Sequence, residues 1–192
     1  MRAAALLLLC GMLTACAAPA LTLYTLGTPP VASPADPLGR APVVIALARV
    51  SIQDDLDTED IVVRDGSVLR RSHRGRWASR LSMGITDRLT QRLAARYPGA
   101  LVTDRPLNDP PTDRVLINIG RLDVTSTGVA MLDADWLVVP RDANAPTERN
   151  RARFSMAGPV ATDQDVVALI GALVDKLADA IAIPTLAPAK GR

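Results

Sequence analysis

The chain has little histidine and cysteine, two residue types that carry much acid–base, nucleophilic and metal chemistry. Its 192 residues include a single histidine, His73, and two cysteines, Cys10 and Cys16. No nucleophile stands at a recognisable spacing from His73, and this composition does not supply the four ligands of a zinc site. We therefore expect no enzyme activity, no metal and no cofactor, and we interpret His73 as a solvated loop residue.

A strong excess of charge is also missing. The formal net charge is +2, which is too small to predict binding to a polyanion such as nucleic acid. The densest acidic run, residues 54–60, lacks the alternating oxygen ligands and the turn glycine of a calcium-binding loop. We interpret this run as an acidic surface loop.

The apolar run near the N-terminus is short. Residues 3–13 follow Arg2 and precede Cys16. Their length is below the ~20 apolar residues of a membrane-spanning helix, but it suits the core of a secretory signal. The sequence Leu-Thr-Ala-Cys at 13–16 resembles the lipobox of bacterial lipoproteins, in which cleavage leaves the cysteine first in the chain and acylated.

This motif predicts a signal peptide over residues 1–15 and a lipidated tether over 16–20, with acyl chains on Cys16. Two or three chains give stable attachment, whereas a single chain binds a membrane marginally. Ala17 is not the aspartate that retains such proteins in the inner membrane of enteric bacteria, so we expect the periplasmic face of the outer membrane. The alternative is an ordinary secretory signal cut near Ala18.

The mature chain has the length of one domain. Removal of the signal leaves about 177 residues, enough for a sizeable core. Cys10 leaves with the signal, so no disulfide can form. We predict one domain over residues 21–183 and a disordered tail rich in proline, alanine and lysine over 184–192.

The first half of the domain shows strand patterns. Residues 21–26 alternate apolar and polar side chains, which predicts a strand. The apolar run 43–50 indicates a central strand. Residues 61–70 read as a hairpin around an Asp65-Gly66 turn.

A second group of strands follows residue 100. We predict a short edge strand at 101–103, then a meander formed by 115–125, 129–139 and 151–158. Gly120 interrupts the alternation of the first of these long strands, which suggests a bulge.

Two amphipathic helices are predicted. The first has an apolar side chain at every fourth position, ends at Pro98-Gly99 and includes Trp77, Leu81, Ile85, Leu89, Leu93 and Tyr97. The second is capped by Thr162 and ends before Pro184. Together these elements predict an α+β fold in which a mixed, mainly antiparallel sheet packs against both helices.

Arginines are concentrated just before the first predicted helix, at Arg70, Arg71, Arg74 and Arg76. Positive charge at a helix N-terminus opposes the macrodipole, so helix stability does not explain it. We interpret these residues as a contact for a partner protein or an anionic lipid. The alternative is a hydrated loop with salt bridges to the acidic run.

The two tryptophans are assigned to the core. Trp77 starts the apolar stripe of the first helix. Trp136 shares its phase with Leu132 and Ala134 on a predicted strand, so it should face inward as well.

Several motifs resemble those of the ABC-type transport auxiliary lipoprotein family, which includes the lipoprotein of the paraquat-inducible system. They are the strand 43–50, the Asp-Leu-Asp at 55–57, the Ile-Val-Val-Arg at 61–64 and the Arg-Trp-Ala at 76–78. Asp54 and Asp55 stand where that family usually has proline and tyrosine.

The resemblance implies a non-catalytic accessory subunit of an ABC/MCE-type system that moves lipids or other hydrophobic compounds between membranes. Its partners would be an MCE-domain protein and the permease and ATPase components, and the family implies self-association as well. A pilot lipoprotein that assembles an outer-membrane complex is the alternative function.

Overall fold

The computed structural model describes residues 20–27 and 43–186. The predicted signal peptide, Cys16 and residues 187–192 lie outside the described residues. The described elements in chain order are β1 (Thr22–Tyr24), β2 (Val43–Leu47), β3 (Ser51–Ile52), β4 (Asp60–Asp65), β5 (Val68–Trp77), α1 (Leu81–Arg96), β6 (Ala100–Thr103), β7 (Asp113–Val124), β8 (Val129–Pro140), β9 (Glu148–Ala157), α2 (Asp163–Ala180) and a short 3₁₀ helix at Pro184–Leu186.

The larger of two sheets has the strand order β6-β2-β7-β8-β9, with β3 also paired to β7. β7, β8 and β9 form the predicted antiparallel meander, and β2 runs parallel to β6 and β7. The register shifts between Ile119 and Arg121, which confirms the bulge expected at Gly120. Side chains alternate along β7 between buried and exposed, because one face of this sheet covers the core.

The smaller sheet has the order β1-β5-β4. β4 and β5 form the predicted hairpin, although its turn lies one residue later, at Gly66 and Ser67. β1 adds to β5 in parallel. The sequence pattern predicted one sheet, whereas the described residues form two.

The first helix begins later than its apolar stripe predicted. Trp77 is the last residue of β5, and α1 begins at Leu81. The Asp57 side chain, which lies in the loop before β4, accepts a hydrogen bond from the Ser82 backbone N–H at 3.0 Å. It thereby caps the N-terminus of α1, where backbone N–H groups have no partner within the helix. In α2 the predicted Thr162 cap is confirmed, and Asp165 completes a capping box with it.

One hydrophobic core joins the helices and both sheets. Leu89 and Leu93 of α1 and Leu173 and Leu177 of α2 have no exposed surface. Trp77 and Trp136 are both buried, so the predicted inward orientation of each is confirmed. The structure is the expected α+β fold, with mixed, mostly antiparallel sheets and two helices.

Asp113 is a buried acid at the start of β7. Its residue surface is 0% exposed. One carboxylate oxygen accepts a hydrogen bond from the Thr185 hydroxyl at 2.9 Å, and the other has no partner among the described residues. Burial raises the pKa of Asp113, and the Thr185 hydrogen bond offsets this in part.

This geometry gives a prediction for Asp113→Asn. A raised pKa means that the folded state holds its proton more tightly, so the contribution of Asp113 to stability declines as pH rises above about 4. We expect the asparagine variant to gain stability relative to the unchanged protein as pH rises from 4 to 8, as measured by urea unfolding. An unchanged difference between the two proteins across that range would contradict the buried-acid interpretation.

Candidate docking surface

The arginines singled out from the sequence lie on a strand. Arg70, Arg71, Arg74 and Arg76 all belong to β5. The hairpin predicted over 61–70 already placed Arg70 on a strand, whereas the stretch from Arg71 to Arg76 continues that strand instead of forming a loop before the helix. The reason is pairing: β4 pairs with the first residues of β5 and again at Arg76, and β1 pairs with the last three residues of β5. These neighbours hold as a strand a stretch that has little alternation of apolar side chains of its own. Whether these arginines contact a partner stays a prediction.

An irregularity in the hairpin moves part of β5 toward α2. Asp60 pairs with Arg76 and Val62 with Arg71, so β5 has extra residues between these points. Within them the Ser72 hydroxyl accepts hydrogen bonds from the backbone N–H groups of residues 74 and 75, and it donates to the Asp163 carboxylate at 2.8 Å. The irregular segment is therefore held against the N-terminus of α2.

Three of these arginines form ion pairs with Asp60 or Asp65, the two ends of β4. Arg71 and Arg76 each contact Asp60 at 3.0 Å. Arg70 contacts Asp65 at 2.8 Å, and this hydrogen bond and charge lower the pKa of Asp65. Arg74 forms no ion pair within the part of the chain that the structure describes. It is exposed.

Two exposed leucines lie beside the arginines. In the parallel pairing of β1 with β5, Leu23 is level with Arg76, whereas Tyr24 is level with the buried Trp77. Leu23 therefore shares the outer face of the sheet with Arg76, and alternation places Leu21 on the same face. The exposed fractions of Leu21 and Leu23 are 56% and 61%.

We call this outer face of the small sheet the β1–β5 face and define it by Leu21, Leu23, Arg74 and Arg76. It combines aliphatic and cationic side chains, and Asp60 of β4 holds Arg76 in place. The arginines were apparent from composition. The leucines were missed as surface residues because an alternating strand usually buries its apolar positions, and only the register shows that these point outward.

Other arginines belong to the framework of the fold. Asp57, Asp123 and Asp175 each bridge two arginines. At Asp123 burial opposes ionisation, but hydrogen bonds from Arg64 and Arg121 outweigh it and lower the pKa. The Arg64–Asp123 contact of 2.7 Å joins the two sheets.

The described residues give little support for a catalytic or metal site. Within residues 20–27 and 43–186, no group of three or more His, Cys, Asp or Glu side chains could hold a metal ion. His73 is exposed on β5 rather than in a loop. No helix in the same ranges is both long and apolar enough to cross a membrane.

Solved structures with the same fold include two crystal structures. One, of an uncharacterised protein, is 14% identical, with a TM-score of 0.67 over 83% of this chain and 95% of that chain. The other, of a Xanthomonas campestris protein of the family DUF330, is 16% identical, with a TM-score of 0.56 over 82% of this chain and 90% of that chain. At these identities the similarity shows the fold alone.

No curated protein sequence matches the chain. The sequence model described as "ABC-type transport auxiliary lipoprotein component" matches residues 24–182. That match runs from the last residue of β1 to just past the end of α2 and includes the motifs at 55–57, 61–64 and 76–78. The chain belongs to the ABC-type transport auxiliary lipoprotein family.

Proposed function

We propose that this protein is a lipid-anchored, non-catalytic accessory subunit of an ABC/MCE-type system that transports lipids or other hydrophobic compounds between membranes. The observation that carries the proposal is the family match over residues 24–182. The lipobox-like sequence ending at Cys16 supports an anchor on the periplasmic face of the outer membrane. A sequence with one histidine and no recognisable acid–base constellation supports a structural role.

The mechanism that we propose is tethering with interface formation. Acyl chains on Cys16 hold the domain at the membrane, and the folded body docks the transport components there. Neither step requires turnover, because the subunit would increase the effective concentration of its partners at one membrane site.

Purification from native membranes tests this function. We expect the tagged, full-length protein, after mild crosslinking, to bring down an MCE-domain protein together with the permease and ATPase components. A lipoprotein of unrelated function from the same membrane, carrying the same tag, is the control for chance recovery. Recovery only with a β-barrel or secretin would contradict the transport role and favour the pilot function.

Gene deletion gives a second, independent readout. If the lipoprotein and the MCE-domain protein act on one path, deleting both should produce no greater sensitivity to membrane-active compounds than deleting either one. Additive sensitivity would place the lipoprotein in a different process.

A further inference from the structure

We propose that the β1–β5 face lies in the lipid–water interface of the membrane that holds the anchor, with Leu21 and Leu23 among the lipid headgroups and Arg74 bound to anionic phosphate. This inference rests on the proposed lipidation of Cys16 and specifies how the domain is oriented on the membrane. It assigns the ligand of the face as anionic phospholipid.

The first argument is the length of chain between anchor and sheet. Five peptide steps separate Cys16 from Leu21 and seven separate it from Leu23, so even fully extended chain spans only about 18 Å and 25 Å. A domain of this size has a radius of gyration of about 15 Å and thus a diameter of about 40 Å. The anchor therefore restricts which side of the domain can face the membrane, and β1 is on that side.

The second argument is the apolar surface at that position. Leu21 and Leu23 are the two most exposed large hydrophobic residues of the described chain, at 56% and 61%. β1 is an edge strand, and exposed leucines on an edge promote aggregation unless something covers them. The short tether brings these leucines within reach of the bilayer surface, and burial of apolar side chains in the lipid–water interface is favourable.

The third argument is charge. Arg76, level with Leu23, is held by Asp60. Arg74 has no ion-pair partner among the described residues and is exposed two positions earlier on the same strand. Leucine inserted next to unpaired arginine is the combination that binds anionic membranes, because the aliphatic groups enter the interface while guanidinium groups pair with phosphate.

An acidic protein surface is the main competing occupant. It would account for Arg74 but would leave the leucines beside the anchor in water. Membrane lipid accounts for the leucines, the arginine and the short tether together, so the observations favour lipid.

Single-cysteine labelling tests the orientation. Acylation blocks the thiol of Cys16 and the signal carries Cys10 away, so an introduced cysteine would be the one labelling site of the mature lipoprotein. We would label Leu23→Cys with an environment-sensitive fluorophore in the purified, lipidated full chain. The matched control is Val129→Cys, another exposed apolar position, at the start of β8.

In vesicles of phosphatidylethanolamine and phosphatidylglycerol with a headgroup-attached quencher, the probe at residue 23 should be quenched at least about twofold more than the probe at residue 129. A blue shift of its emission should accompany the quenching. Equal quenching at the two positions would overturn the proposal. Circular dichroism of both variants checks that each is folded.

A charge-reversal pair tests the arginine. With the probe at residue 23, Arg74→Glu should reduce the ratio of quenched to unquenched protein at least about fivefold, since losing one cation near an anionic surface costs roughly that factor and the new glutamate adds repulsion. Arg151→Glu is the matched control, because Arg151 on β9 is also exposed and has no ion pair among the described residues. Equal effects of the two reversals would overturn the assignment of Arg74 to anionic lipid.

The outcomes separate this inference from the proposed function. If Cys16 is not acylated, the protein does not float with vesicles, whether Cys16 stays as a second free thiol or leaves with a signal cut near Ala18, so the anchor itself fails. If the protein floats but the residue-23 probe remains in water, the anchor stands and the orientation fails. If that probe stays in water while Arg74→Glu abolishes recovery of the MCE-domain protein, the face binds an acidic partner and the lipid assignment is wrong.

Discussion

Replacing Cys16 with serine is expected to abolish acylation and, with it, stable attachment to the membrane. A serine hydroxyl cannot form the thioether that carries the diacylglyceryl group. Each buried methylene of an acyl chain contributes ~0.8 kcal/mol, so loss of two or three chains removes nearly all of the attachment energy. The precursor should also remain uncleaved, because the processing site ends at this cysteine.

The measurements are incorporation of labelled palmitate, mobility on a gel and membrane fractionation. An uncleaved apolar stretch at 3–13 could itself retain the variant, so Cys16→Ser should also be made behind an ordinary cleavable secretory signal. In that form it should be recovered in the soluble periplasmic fraction. Cys10→Ser is the control, and it should change neither labelling nor fractionation because Cys10 lies in the predicted signal peptide. Unlabelled protein that fractionates identically with and without Cys16 would refute the lipoprotein assignment.

Where the chain alternates regularly, its sequence predicted the fold. β7 up to Gly120 alternates buried with exposed residues, β8 alternates buried with half-buried ones, and α2 begins at a threonine cap. In these elements the local preference, the burial pattern and the final structure agree. The meander and the second helix could therefore be located from the sequence alone.

The second half of β5 shows where sequence reasoning failed, because the predicted hairpin ended at Arg70. Residues 71–76 contain three arginines and a glycine, so no alternation of apolar and polar side chains indicates a strand there. Pairing with two neighbours makes it a strand, and such long-range pairing leaves no local signal. The error carried over to α1, because Trp77 was counted in the helix stripe when it is a buried strand residue.

The candidate site was predicted in pieces. Cys16 and the arginines could be named from the sequence, since a motif marks the first and composition marks the second. That Leu23 lies level with Arg76 on an outward face depends on the register of β1 against β5. Register is set by the whole sheet, so neither segment predicts it by itself.

Gly128→Ala should cause the largest loss of folding stability of any single change considered. Gly128 has a φ of +84° in the connection between β7 and β8, where an added Cβ is strained. That Cβ would also overlap the carbonyl oxygen of Gly158. The two backbones are fixed at this point, because the Gly158 N–H donates to the Gly128 carbonyl oxygen at 2.9 Å. Neither can move aside without breaking the end of the meander.

Gly66 provides a matched control. Its φ is +61°, yet nothing lies within 4 Å of an added Cβ. Gly66→Ala should therefore cost only the backbone strain, about 1–2 kcal/mol. Gly128→Ala adds a steric clash of about 1–3 kcal/mol, typical of overpacking, so urea unfolding should show the larger loss there.

Asparagine separates the two causes. Because asparagine tolerates positive φ better than alanine does, Gly66→Asn should recover part of the stability that Gly66→Ala loses. At position 128 asparagine still carries a Cβ against the Gly158 oxygen, so Gly128→Asn should recover little. Equal losses at the two glycines would mean that the Gly158 backbone yields to the new side chain, and that this end of the meander is not rigid.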